Sequence, residues 1–242
     1  MPIACPVAPP KADGIGANCQ LPIVFSHFME VDMKKVLLST LFLGLVFGGV
    51  ILGGDVFAQE EWDEEGWEIS TYQFPVYTDI SSLDNHFIPS GWMGDYGDIT
   101  LDKNWQDNPH SGETCIKISY SAEATQGNRW AGIYWQEPAN NWGEVDGGFD
   151  LTGATKLTFW ARGEKGGEKA EFKVGGIRGK YSDSLQPAVS SGVIVLTNEW
   201  TPYSINLEGR DLSYISGGFC WVTSLRNNPE GCTIYLDDIK FE

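Results

Sequence analysis

Residues 150–163 read DLTGATKLTFWARG, and the second half of that stretch decides how the chain folds. Leu157, Phe159 and Ala161 alternate with Thr158, Trp160 and Arg162. Side chains of an extended chain point alternately to opposite faces, so this period of two predicts a strand with an apolar face and a mixed one. Glycines at 163, 166 and 167 end the run and predict a turn, with a return strand over 170–175 that points Phe172 and Val174 inward.

The same alternation recurs outward from this stretch. It predicts strands over 71–78, 99–105, 115–121, 130–136, 193–197, 201–207, 219–225 and 233–241. Residues 193–197 and 201–207 read as a pair, and 226–231 as a turn. Residues 81–97 are dense in Gly, Pro, Asn and Asp and read as loop. No segment beyond residue 58 sustains a helical period. Short strands with turn signals every eight to twelve residues predict an all-β, antiparallel two-sheet sandwich.

The N-terminal part reads differently. Residues 1–32 hold Pro2, Pro6, Pro9, Pro10 and Pro22 without periodicity, and read as a mis-assigned or disordered extension ahead of Met33. Lys34 and Lys35 then precede an apolar run over 36–52, and Val56, Phe57 and Ala58 make a cleavage-type triplet before Gln59. Residues 33–58 therefore read as a signal peptide, with an anchor helix as the alternative. An acidic linker over 59–69 leads into a domain over 70–242. Either reading exports that domain to a secreted, periplasmic or envelope location, and only an uncleaved apolar run would give it a membrane partner.

The chain has 242 residues and a formal net charge of −17, from 16 Lys+Arg against 33 Asp+Glu. Such an excess of acid repels phosphate backbones, so no nucleic-acid partner is expected, although charge alone does not name a partner. Cys5 and Cys19 precede the domain. Within it, Cys220 and Cys232 flank a turn-rich segment and are a candidate disulfide, against the alternative of three buried thiols with Cys115.

The mixed face of residues 156–162 sets an indole beside a guanidinium. An aromatic plane next to a planar donor fork suits a sugar ring, which has a C–H face and a rim of hydroxyls. The expected ligand site is Trp160 and Arg162 with Glu171 and Lys173 on the neighbouring strand, joined by Tyr134, Gln136 and Trp221. Trp92, Tyr96, Trp105 and Trp142 form a competing set on or near loops. Catalytic patterns are sparse. Glu144 and Asp146 begin an alternating carboxylate run, but position 148 is Gly148. His86 and His110 sit in loops, and no Ser-His-Asp or Cys-His spacing stands out.

The runs DLTGATKLTFWARGEKGG, WAGIYWQEPANNWG and CTIYLDDIKFE together resemble carbohydrate-binding modules with a galactose-binding-like jelly-roll fold. The resemblance spans roughly residues 70–242. It implies two antiparallel sheets, a sugar site on the concave face or the edge loops, and a structural calcium near the terminal strands. In strict alternation Tyr235, Asp237, Ile239 and Phe241 share a face, which would leave the Asp237 carboxylate among apolar groups. Calcium would relieve that cost, with Asp79, Glu113 and Asp150 as further candidate ligands. The expected function is a non-catalytic domain that binds oligo- or polysaccharide. The alternatives are a jelly-roll polysaccharide lyase or glycosidase using loop carboxylates, and an extracellular sandwich that binds protein.

Overall fold

The computed structural model describes residues 72–242, and the leader, anchor and linker expectations lie outside them. Eleven strands make two antiparallel sheets. The first sheet, A, runs β3 (Ile99–Trp105), β4 (Cys115–Tyr120), β11 (Cys232–Phe241), β6 (Lys156–Gly163), β9 (Thr201–Asn206), with β1 (Phe74–Tyr77) pairing the far end of β11. The second, B, runs β2 (Ile88–Gly94), β5 (Trp130–Gln136), β10 (Gly217–Ser224), β7 (Lys169–Val174), β8 (Val189–Val195). The two sheets form a jelly-roll sandwich. Among the described residues the only helix is a 3₁₀ turn at Tyr96–Asp98.

Alternation selects the core as expected. Leu157, Phe159 and Ala161 of β6 face Phe172 and Val174 of β7 and Phe219 and Trp221 of β10, with Ile116 and Ile118 of β4 and Ile234 and Leu236 of β11 completing the layer. Phe159 packs on Phe172 at 4.6 Å and on Phe219 at 5.5 Å between ring centroids. Burying one such ring contributes about 1.5–3 kcal/mol.

Connectivity departs from the sequence reading. Only β3–β4 and β7–β8 are joined within one sheet. The expected hairpin β6–β7 is an arch from sheet A to sheet B, and the turn after β10 is an arch from sheet B back to sheet A; β8 and β9 do not pair. A glycine-rich turn signals a reversal, but local sequence does not say whether the chain returns beside its own strand or across the core.

Residues 81–97 contain a strand the composition hid. In β2, Gly91 stands opposite Tyr134, and a Cβ there would lie 2.7 Å from Tyr134 Cβ and from Gln136 Oε1. The edge strand needs the residue that looked like a loop marker. Alternation also breaks in β11. Asp238 adopts φ 47° and the register shifts between Asp237 and Lys240. This bulge turns Ile239 and Phe241 into the core beside Ile234 and Leu236, while Asp237 stays on the outward face with Tyr235. The expectation that Asp237 shares the apolar face is therefore wrong.

The cysteine expectation is corrected too, since Cys115, Cys220 and Cys232 are free thiols. Cys220 lies on the outward face of sheet B, whereas Cys232 of sheet A packs against the core. Sheet B separates the two sulfurs.

Candidate functional site

The outward face of sheet B carries two cross-strand rows. Gly91, Tyr134, Cys220, Lys173 and Ser190 are successive partners in one; Met93, Gly132, Val222, Glu171 and Val193 are successive partners in the next. A groove of about 400 Å³ lies over them, lined by Met93, Trp130, Tyr134, Lys173, Cys220 and Val222 with Gly175, Gly176 and Ala188. Its floor is low because of Gly132. A Cβ there would meet the Trp221 carbonyl oxygen at 2.8 Å and Met93 Cε at 3.0 Å.

One indole lines this groove, and a second packs against Tyr134 beside it. Trp130, four residues before Tyr134 on the same face of β5, is 38 % exposed and lines the groove. The strand rise places it roughly 13 Å from Tyr134 along β5. Trp142 is 41 % exposed and meets the Tyr134 ring edge-on at 6.2 Å. The polar groups form one cluster: Lys173 Nζ lies 3.2 Å from Glu171 Oε1, to which the Ser190 hydroxyl also donates at 2.6 Å. Burial pushes the Tyr134 phenol well up, and its hydroxyl donates to the Gly175 carbonyl. It is fixed as a neutral ring.

Buried side chains hold the loops that carry these groups. Gln136 Nε2 donates to the Asn141 carbonyl at 2.8 Å, and its Oε1 accepts from the Ser90 hydroxyl at 3.2 Å. Asn141 Oδ1 in turn accepts from Gly143 N and Val145 N, shaping the turn that presents Trp142. Asp95 accepts from the backbone N–H groups of Gln126, Asn128 and Arg129, just ahead of Trp130. Asp183 joins the loop after β7 to the start of β10 through Ile177 N and Ser216 N.

The expected site residues are divided between two faces. Tyr134, Glu171 and Lys173 lie on this one. Gln136 points the same way but is fully buried, its amide spent on the loop. Trp221 is fully buried in the core, opposite the expectation, because Cys220 and Val222 take the outward positions of β10. Trp160 and Arg162 lie on the outward face of sheet A, since β6 and β7 belong to different sheets. There His110 stacks on the Trp160 ring at 3.7 Å and 18°, covering one of its planes. Of the competing set, Trp142 packs against Tyr134 beside the groove of sheet B, and Trp105 belongs to sheet A. Trp130 and Met93 went unnamed in the sequence reading, although Trp130, Gly132 and Tyr134 share a face by simple alternation.

The calcium ligands do not fit one site. Among the described residues no group of three His, Cys, Asp or Glu side chains converges as a ligand set. Asp237 is instead held by N–H donors: its Oδ2 accepts from His110 N at 2.9 Å and Ser111 N at 3.2 Å, and its Oδ1 from Asp238 N at 2.9 Å. Burial still raises its pKa to about 6. Asp79 takes the N–H groups of Glu113 and Thr114 and the Thr114 hydroxyl, which hold its pKa down to about 2. Asp150 caps Thr152 N. Of the loop carboxylates that an enzyme would use, Asp146 accepts from the Tyr214 hydroxyl, and none lines the groove.

No family model matches the chain, and no curated protein matches it. Among solved structures the fold is similar to a family 30 carbohydrate-binding module, with TM-score 0.49 and 15% identity over 71% of this chain and 88% of that one. It is also similar to the family 11 carbohydrate-binding module of a cellulosomal cellulase of Clostridium thermocellum, with TM-score 0.47 and 11% identity over 71% of this chain and 95% of that one. A family 29 module gives TM-score 0.43 and 13% identity over 71% and 91%. At such identities the likeness concerns the layout of strands and leaves the side chains to be argued on their own.

Proposed function

We propose that residues 70–242 form an exported, non-catalytic domain that lays a saccharide across the outward face of sheet B. The observation that carries this reading is a half-exposed indole, Trp130, lining a shallow apolar floor set with one polar cluster, with a second exposed indole, Trp142, packed edge-on against Tyr134 of the same groove. A sugar offers C–H faces to the rings and hydroxyls to the Lys173, Glu171 and Ser190 group. Holding loops by buried amides and carboxylates preorganises the rings, which lowers the entropy lost on binding. The basic, apolar and small-residue pattern over 34–58 supports export.

The test is Trp130→Ala in the full chain, measured by affinity electrophoresis against a panel of neutral polysaccharides. An aromatic anchor contributes about 2 kcal/mol, so the affinity drops by roughly thirtyfold while the melting temperature holds. Wild-type protein that no polysaccharide retards, or a Trp130→Ala variant that binds as well as wild type, removes the reading. Turnover of any polysaccharide would favour the enzyme alternative.

A further inference from the structure

We propose that the outward face of sheet A is a second saccharide-binding surface, selective for sugars carrying anionic groups and independent of the groove on sheet B. Lys117 of β4, Tyr235 of β11 and Arg162 of β6 are successive cross-strand partners. Trp105 flanks them at the end of β3, and Trp200 flanks them just before β9. Cations and rings alternate along this strip. Lys117 Nζ sits 3.6 Å from the centroid of Trp105 and 5.7 Å from that of Tyr235; Arg162 Cζ sits 3.7 Å from Tyr235 and 5.3 Å from Trp200. Two of the three rings are tied down. The Tyr235 hydroxyl donates to Glu164, and Trp200 Nε1 donates to the Asn108 carbonyl at 3.0 Å.

What marks the strip as a binding surface is that its cations keep their donors. Among the described residues neither Lys117 nor Arg162 has a carboxylate within 4.0 Å of its side chain, and neither side chain donates a hydrogen bond. Arg162 Nε is buried with no partner at all. Acids outnumber bases 33 to 16 in this chain, and Asp102 stands directly across from Lys117, so partners were at hand. A ring face holds a cation in place without consuming its N–H groups. A guanidinium so held keeps its terminal Nη donors for a carboxylate or sulfate, anionic groups that sugars carry.

Spacing favours a chain over a single ion. Lys117 and Arg162 stand two strands apart, roughly 10 Å, and the strip from β3 to β9 crosses roughly 19 Å of sheet. That suits an oligosaccharide with charges at intervals and ring faces that rest on Trp105 and Trp200. Trp160 takes no part as a platform, because His110 already covers one plane.

The experiment titrates the full chain with an oligogalacturonate, a sulfated heparin-type oligosaccharide and neutral cellohexaose, following indole N–H resonances by NMR. At least one anionic probe is expected to shift the Trp105 and Trp200 signals, and to weaken steeply as salt rises to about 0.5 M. Arg162→Gln is expected to weaken that binding about tenfold or more and to leave the response to neutral sugar unchanged. Lys117→Gln, at a half-exposed position, is expected to lower affinity several-fold and serves if the arginine variant fails to fold. Whichever anionic probe binds identifies the group as carboxylate or sulfate. Absence of binding by both, or anionic binding abolished by Trp130→Ala and untouched by Arg162→Gln and Lys117→Gln, overturns the proposal. The groove on sheet B would fail separately, through the neutral probes.

Discussion

Asp183 gives the sharpest test of how the groove on sheet B is held. Its side chain is 2% exposed. One carboxylate oxygen accepts from Ser216 N at 2.6 Å and the Ser216 hydroxyl at 2.7 Å; the other accepts from Ile177 N at 3.0 Å. Asp183→Ala leaves the two N–H groups buried without acceptors. Each costs about 1–3 kcal/mol, so the loss is about 4 kcal/mol, a large part of the stability of an ordinary domain. Asp183→Asn keeps one oxygen but turns an NH₂ towards a backbone N–H, and should cost about 2 kcal/mol. In urea, followed by tryptophan fluorescence, the alanine variant's midpoint should fall by about 2 M and the asparagine variant's by about 1 M. The asparagine variant should also loosen Gly175, whose carbonyl receives the Tyr134 hydroxyl, and so weaken sugar binding before the fold is lost. Midpoints of both variants within about 0.2 M of wild type would refute the reasoning, because the donors would then be finding other acceptors.

Four further outcomes are expected. Gly94 has φ 64°, and a Cβ there would lie 2.2 Å from the Trp130 carbonyl oxygen, so Gly94→Ala should cost about 2 kcal/mol or more and shift the emission of Trp130. Burial raises Asp237 from 3.8 to about 6, so its contribution to stability is complete below about pH 4 and fades as pH rises through 6; Asp237→Asn should flatten the melting temperature over that window. Asp79 behaves oppositely. The Glu113 N–H holds it at about 2, its contribution is complete above about pH 4 and fades as pH falls towards 2, and Asp79→Asn should remove that acid limb. Burial pushes the thiols of Cys115 and Cys232 up to about 12 and that of Cys220 higher, so iodoacetamide at pH 8 should spare all three in native protein and label them in guanidinium.

Alternation is a local property, and what it controls was legible. It identified β3 and β5 to the residue and the inward set Leu157, Phe159 and Ala161. Properties that depend on distant partners were not. Gly91 looked like a loop residue because its reason, the side chains of Tyr134 and Gln136, lies on another strand. The Asp238 bulge reversed the faces of Ile239 and Phe241 by one inserted residue. The assignment of β6 and β7 to different sheets split a single expected site into two surfaces, with Trp160 and Arg162 on one and Tyr134, Glu171 and Lys173 on the other. Trp130 could have been found from its spacing to Tyr134. The unspent guanidinium of Arg162 could not, since it depends on which acids of distant strands end up within reach of that side chain.

Strand β11 bonds to β4, β6 and β1, and Phe74 finds its partner only at Phe241. Until residues 232–241 have emerged, three earlier segments have a neighbour missing, and the larger sheet has no middle. Such long-range closure slows folding compared with locally wired domains. For a domain exported as proposed above, that delay would keep the polypeptide from setting into its final shape before its last strand is available.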